Sequence, residues 1–155
     1  MQLNIGVSSI QNRIWNGERL GVLSLKNLPN LWMDSEFQRT ISLIDVLWIK
    51  GASQIVAAFE VEHTTSIYSG LLRMSDLVAL APNSNFPLYI VTPEERLDKV
   101  RRELSRPTFQ TLELHRRCGF FSEELLLQEY DSIMRWASSP SAIENLASRV
   151  DDVDV

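Results

Sequence analysis

Residues 41–63 constrain this chain more than any other stretch, because three acidic side chains lie in a segment that is otherwise largely apolar. The acids are Asp45, Glu60 and Glu62. A carboxylate in the middle of an apolar strand is unfavourable unless another group compensates its charge. Three of them in one short segment indicate a bound metal ion and, with it, metal-assisted chemistry.

The same segment predicts a β-hairpin. Residues 41–49 are almost continuously apolar and include β-branched and aromatic side chains, which is typical of a strand buried on both faces. Residues 50–54 form the predicted turn, and residues 55–62 form the return strand.

The pairing of the two strands decides whether the acids meet. A four-residue loop after Lys50 pairs that residue with Ile55, and the same pairing continued along both strands places Asp45 opposite Glu60. Opposed side chains have Cβ atoms about 4.5–5.5 Å apart, and Glu62, two residues further on, shares their face. A slip of one residue would instead send Asp45 to the other face and leave the two glutamates as strand-edge acids paired with arginines.

Helical and strand patterns alternate after the hairpin. The predicted elements are a helix over 65–80, a strand over 87–91, a helix from a capping box at Thr92–Glu95 to Leu104, a strand over 108–114, a helix from Ser122 to Ala137 and a short helix over 141–149. In the first helix, Arg73 and Asp76 lie away from the apolar stripe. Gly70, unfavourable inside a helix, indicates close packing against an unidentified neighbour.

This order of elements predicts an α/β fold with a mixed central sheet flanked by helices. The chain has 155 residues, a length typical of one domain. We therefore expect a single domain over 1–150, followed by an acidic tail over 151–155.

The composition narrows the class of protein. A net charge of −5 argues against non-specific coating of nucleic acid, although it allows a local basic groove. The single cysteine, Cys118, excludes an internal disulfide and fits a reducing compartment. His63 and His115 form no zinc-ligand spacing with it. Neither a signal peptide nor an apolar run of roughly 18 residues is apparent, so a cytoplasmic protein without a membrane partner is predicted.

Three segments carry a family resemblance: Ile44–Trp48, Ala57–Leu77 and Arg106–Phe109. In them the chain resembles a group of uncharacterised bacterial proteins that looks like part of the restriction-endonuclease-like, or PD-(D/E)xK, nuclease superfamily. The resemblance covers roughly residues 40–110. It implies a restriction-endonuclease-like core and metal-dependent hydrolysis of DNA phosphodiester bonds with Mg²⁺ or Mn²⁺.

The resemblance also implies roles for individual residues. Asp45 would be the motif aspartate, Glu60 the first acid of the (D/E)xK strand, and the backbone carbonyl of Val61 a further metal ligand. Glu62 stands where the superfamily usually has lysine, and it would activate water or hold a second ion. Arg73, on the following helix, would stabilise charge on the phosphate.

Some features favour other functions. Related domains usually begin with a helix that carries an acid near the site, and no such helix is evident here; Glu18 and Glu36 are the candidates. Arg101 and Arg102 read as a solvated helix face paired with neighbouring acids, whereas Arg106 could also grip a phosphate. A catalytically inactive nuclease-fold module for nucleic-acid or protein binding is the alternative function, and a structural dimerisation domain is the third. Superfamily members often dimerise, so a homodimer is a candidate state.

Overall fold

The computed structural model describes residues 3–7, 14–15, 18–19, 25, 27, 34–51, 53–129, 131 and 141–152. Its centre is a five-stranded sheet in the order β1-β4-β5-β6-β7. The strands are β1 (Leu3–Val7), β4 (Val46–Lys50), β5 (Gln54–Val61), β6 (Leu88–Thr92) and β7 (Cys118–Ser122), with β2 (Ile14–Trp15) and β3 (Glu18–Arg19) forming a separate two-stranded sheet. Pairing is antiparallel from β1 to β5 and parallel from β5 to β7.

Helices flank this mixed sheet. They are α1 (Ser35–Ile41), α2 (Ile67–Leu80), a 3₁₀ turn (Glu94–Arg96), α3 (Leu97–Leu104), α4 (Pro107–Thr111), α5 (Leu114–Arg117), α6 (Glu123–Gln128) and α7 (Ser141–Leu146). The architecture confirms the predicted α/β class and is consistent with a restriction-endonuclease-like fold. Among the described residues, no helix is long and apolar enough to cross a membrane.

Two apolar clusters cover the two faces of the sheet. One contains Leu47 and Ile90 together with Leu71 of α2. The other contains Phe59 and Tyr89 of the sheet and Ile143 of α7. Because strand side chains alternate between faces, Glu60 shares the face of Ala58, which belongs to the cluster with α2.

The predicted strand over 41–49 starts too early. Ile41 is the last residue of α1, whose N-cap Asp34 accepts a hydrogen bond of 2.8 Å from the Phe37 amide. Ile41 and Ile44 are both fully buried, one at the helix end and the other in the following turn. An apolar run marks burial without distinguishing a strand from a short buried helix, which is why the boundary was wrong. A helix thus precedes the motif strand, but the acid in it, Glu36, is exposed.

The hairpin is confirmed, but its turn is shorter than predicted. Lys50 pairs with Gln54 rather than Ile55, and Gly51 adopts the left-handed φ of 63° that the tight turn requires. The register then shifts between Trp48 and Ile49. This bulge restores the predicted pairing, so that beyond it Val46 lies opposite Phe59.

Two further predictions differ from the structure, and one strand was not predicted. Residues 108–114 belong to helical turns rather than a strand, because Pro107 opens α4 and its Phe109 is fully buried. Thr92 forms no capping box; it is a buried β6 residue that donates to the Glu62 carbonyl at 3.0 Å. Strand β7 was not predicted. The helix capped by Ser122 is confirmed, but α6 ends at Gln128, and the predicted continuation over 132–137 lies outside the described residues.

Candidate active site

The end of β5 places two acids side by side. Glu60 is the second-last residue of β5, and Glu62 follows two residues later. Both side chains therefore point to the face of the sheet that α2 covers. They are almost completely enclosed, with relative exposures of 0% for Glu60 and 1% for Glu62. The predicted sharing of one face is therefore confirmed.

Asp45 meets this pair from the neighbouring strand. It directly precedes β4, and the register of the last ladder pair, Val46 with Phe59, places it opposite Glu60. Its Oδ2 accepts a 2.9 Å hydrogen bond from the backbone N–H of Val61. Asp45 is close enough for its charge to raise the pKa of Glu60.

Arg73 of α2 binds both glutamates. Its Nε donates to Glu60 Oε1 at 3.0 Å and its Nη2 to Glu60 Oε2 at 2.5 Å, which is the fork geometry of a strong arginine–carboxylate pair. The same Nη2 lies 3.1 Å from Glu62 Oε1. One guanidinium nitrogen thus bridges two carboxylates.

Two further groups, Thr65 and Gly70, lie against the Glu62 carboxylate. Its Oε2 accepts a hydrogen bond from the Thr65 hydroxyl. On the other side lies Gly70 of α2, where a Cβ atom would meet Glu62 Oε1 at 2.5 Å. Gly70, although unfavourable in a helix, therefore makes room for the Glu62 carboxylate. Glu62 is the packing neighbour that the sequence left unidentified.

Arg96 holds the chain that leaves β5. Its Nη1 donates to the carbonyls of Glu62 and, at 2.6 Å, His63, and its Nη2 donates to the Thr65 carbonyl at 2.6 Å. Thr92 adds a hydrogen bond to the Glu62 carbonyl. These contacts hold the backbone of Glu62 in place. No local pattern in the sequence points to Arg96, because it lies more than thirty residues from Glu62 along the chain and is brought there by the parallel pairing of β5 and β6.

The electrostatics follow from burial. Burial raises the pKa of Glu60 to about 8, with Asp45 and Glu62 adding to the rise and the hydrogen bond from Arg73 opposing it. The pKa of Glu62 is also raised, again chiefly by burial. Arg73 has its pKa raised by the hydrogen bond to Glu60, so the guanidinium stays charged. The site gathers three carboxyl groups around one internal cation.

The carboxylate oxygens of the site are the type of ligand that a hard divalent cation prefers. Mg²⁺ and Mn²⁺ prefer carboxylate oxygens, and Arg73 Nη2 already acts as a stand-in cation between Glu60 and Glu62. Within the described part of the chain, however, no three acidic, histidine or cysteine groups are arranged as a ready-made ligand cluster. The acids instead point at the guanidinium, and a metal would have to take its position.

The other candidates lie apart from this cluster. Asp76 is exposed. Arg101 does not pair with acids of its own helix as predicted; it donates to the carbonyls of Val150 at 3.2 Å and Asp152 at 3.1 Å. Arg106 pairs with Glu103 at 3.0 Å and its guanidinium lies 4.9 Å from the centre of the Tyr68 ring.

Two acids are candidates for the leading helix. Glu36 is exposed in the first turn of α1. Glu18 belongs to β3, and its side chain lies outside the part that the structure describes. His63, next to Glu62, forms its hydrogen bond with Glu123 at 2.9 Å.

Comparison with known proteins gives a family and one relative. A family model described as "Type II restriction enzyme NmeDI C-terminal domain" matches residues 7–148. The Type II restriction enzyme NmeDI of Neisseria meningitidis serogroup C is 41% identical over 71 residues, which is 45% of this chain. The match spans only 20% of that enzyme's length. No solved structure gives a significant match.

Proposed function

The chain belongs to the family of the C-terminal domain of the Type II restriction enzyme NmeDI, and on that premise we propose that it hydrolyses DNA phosphodiester bonds with Mg²⁺ or Mn²⁺. One observation carries the proposal: Asp45, Glu60, Glu62 and Arg73 converge at one end of the sheet. Because the chain spans a fifth of its relative's length, the proposal rests on this site together with the family.

Asp45, Glu60, Glu62 and the carbonyl of Val61 would hold the metal. When bound, such an ion lowers the pKa of a water molecule and stabilises negative charge on a phosphate. The carboxylates of Asp45 and Glu60 enter from adjacent strands and would fix its position.

Glu62 and Arg73 would act on the reacting groups. Glu62 would either accept the proton of the attacking water or hold a second ion. Arg73 has the planar fork that binds two phosphate oxygens at once. Its side chain is 31% exposed, whereas Glu60 and Glu62 are enclosed, so incoming DNA would reach the guanidinium before either glutamate.

Cleavage assays test this function. Plasmid and single-stranded DNA are incubated with Mg²⁺ or Mn²⁺ and either the wild-type chain or Glu60→Gln, which keeps the shape of the side chain and removes its charge. Glu95→Gln is the matched control, because Glu95 is exposed on the 3₁₀ turn. Cleavage by the wild type and Glu95→Gln, but not by Glu60→Gln, is expected. Cleavage that survives Glu60→Gln would locate the activity elsewhere.

A non-catalytic binding module is the second candidate, and the pairing of both Glu60 oxygens with Arg73 favours it. In that case DNA is bound without cleavage, and the acids serve only to hold Arg73. Electrophoretic mobility shifts with the same DNA, without cleavage in either metal, would select this function. Homodimerisation stays a prediction for either candidate, and sedimentation would measure it.

A further inference from the structure

Arg73 occupies the place that a metal ion would need. Its Nε and Nη2 contact the two Glu60 oxygens at 3.0 and 2.5 Å, and Nη2 also contacts Glu62 at 3.1 Å. The remaining Glu62 oxygen accepts from Thr65. A cation placed between these carboxylates would overlap the guanidinium, so the two cannot bind there together.

We infer that Arg73 is an internal latch that competes with a divalent cation for Glu60 and Glu62. The inference rests on the proposed metal site and adds its regulation. In the latched state the arginine neutralises the buried acids, and the domain needs no metal to fold. In the open state the arginine has left and the metal holds the same oxygens.

The geometry allows Arg73 to leave and Glu60 to stay. Glu60 projects from the middle strand of the sheet and has no exposed surface. Arg73 projects from α2 and keeps 31% of its side-chain surface exposed. An arginine side chain has several rotatable bonds, so it can swing toward solvent or a phosphate while the helix remains in place.

Removal of the latch should therefore strengthen metal binding. Mn²⁺ is titrated into the metal-free chain without DNA, and the free ion is followed by electron paramagnetic resonance. We expect Arg73→Gln to bind Mn²⁺ about tenfold more tightly than the wild type, within the usual range of coupling between two ligands. Arg73→Lys, which keeps the charge but loses the fork, should lie between them.

The controls separate local from general effects. Arg102→Gln removes the same charge from an exposed position of α3 and should bind Mn²⁺ like the wild type. Thermal melting supplies a second measurement, because a ligand that binds only the folded state raises the midpoint. Mn²⁺ should raise the midpoint of Arg73→Gln more than that of the wild type. If Arg73→Gln does not fold in EDTA, the Arg73→Lys titration decides.

The outcomes distinguish this inference from the proposed function. Tighter Mn²⁺ binding after loss of the arginine fork, with Arg102→Gln unchanged, supports the latch. Equal or weaker binding in the Arg73 variants overturns the latch and leaves the metal site standing. Absence of Mn²⁺ binding in every variant overturns both the latch and the metal-dependent reaction.

Discussion

Gly70 and Glu62 are in direct contact across the interface between α2 and the end of β5. A Cβ atom at position 70 would lie 2.5 Å from Glu62 Oε1, much closer than two such atoms can approach. A glycine inside a helix costs about 1 kcal/mol relative to alanine. The structure gains in return the space in which Glu62 reaches Arg73.

Replacement of Gly70 by alanine should therefore destabilise the domain by about 1 kcal/mol, although alanine is the better helix residue. The new methyl group would push the Glu62 carboxylate away from Arg73 and Thr65. Urea unfolding measures the change. In a Glu62→Ala background the obstacle is gone, so Gly70→Ala should become stabilising. The same sign in both backgrounds would contradict this explanation.

Loss of the internal cation should be much more damaging than loss of a surface one. Arg73→Met leaves Glu60 buried without its partner, and we expect a loss of roughly 3–5 kcal/mol in the free energy of unfolding. Arg116→Met is the matched control, since Arg116 and Glu113 form a pair in which both side chains are 67% exposed.

For that control we expect at most about 1 kcal/mol. Combining Arg73→Met with Glu60→Gln should recover part of the loss, because the second change removes the buried carboxyl group that has lost its partner. Equal losses for Arg73→Met and Arg116→Met would show that the buried pair has no special role in stability.

Tyr89 should limit stability at alkaline pH. Its hydroxyl is buried without a hydrogen-bond partner among the described residues, and burial raises its pKa from 10.0 to about 12. The folded state thus holds the proton more tightly than the unfolded state. Its contribution is complete below pH 10 and is lost as the pH rises toward 12.

Tyr89→Phe should remove that contribution, so the free energy of unfolding falls less between pH 9 and 11 than in the wild type. At pH 7 the substitution should be neutral or stabilising, because it deletes an unpaired buried hydroxyl. Urea unfolding across this pH range provides the comparison. Parallel curves for the two proteins would contradict the assignment to Tyr89.

Cys118 should be inert toward thiol reagents while the domain is folded. The side chain is fully buried in β7, and burial raises the pKa of its thiol to about 12. A disulfide reagent at pH 8 should therefore label the chain only through unfolding, at a rate that rises with urea. Rapid stoichiometric labelling in buffer would show that this end of the sheet opens locally.

The acidic hairpin shows how far the sequence alone could lead. The alternation of side chains correctly placed Glu60 and Glu62 on one face. The position of Asp45 was predicted with a turn that is wrong by one residue, and the bulge near Trp48 compensates for the error. Bulges depend on packing against neighbouring elements, so the local pattern did not reveal this one.

Other parts of the site depend on contacts between distant segments. The parallel pairing of β5 with β6 brings Arg96 to the carbonyl of Glu62, which no periodicity predicts. Gly70 is different, because a glycine inside a helix is unfavourable and therefore indicated close packing at that position. The prediction of a strand over 108–114 is wrong, because its apolar and polar residues alternate as in a strand although Pro107 opens a helix there.

Residues 147 and 148 cover part of the outer edge of β7. That strand lies at the margin of the sheet, and the backbone groups of Phe120 form hydrogen bonds with Ser148 at 2.9 and 2.8 Å. Gly119 permits the approach, since a Cβ there would lie 2.9 Å from that of Ala147. An uncovered marginal strand invites other chains to add to the sheet. Ser148 therefore occupies the backbone groups of Phe120 to which a further strand would otherwise bind.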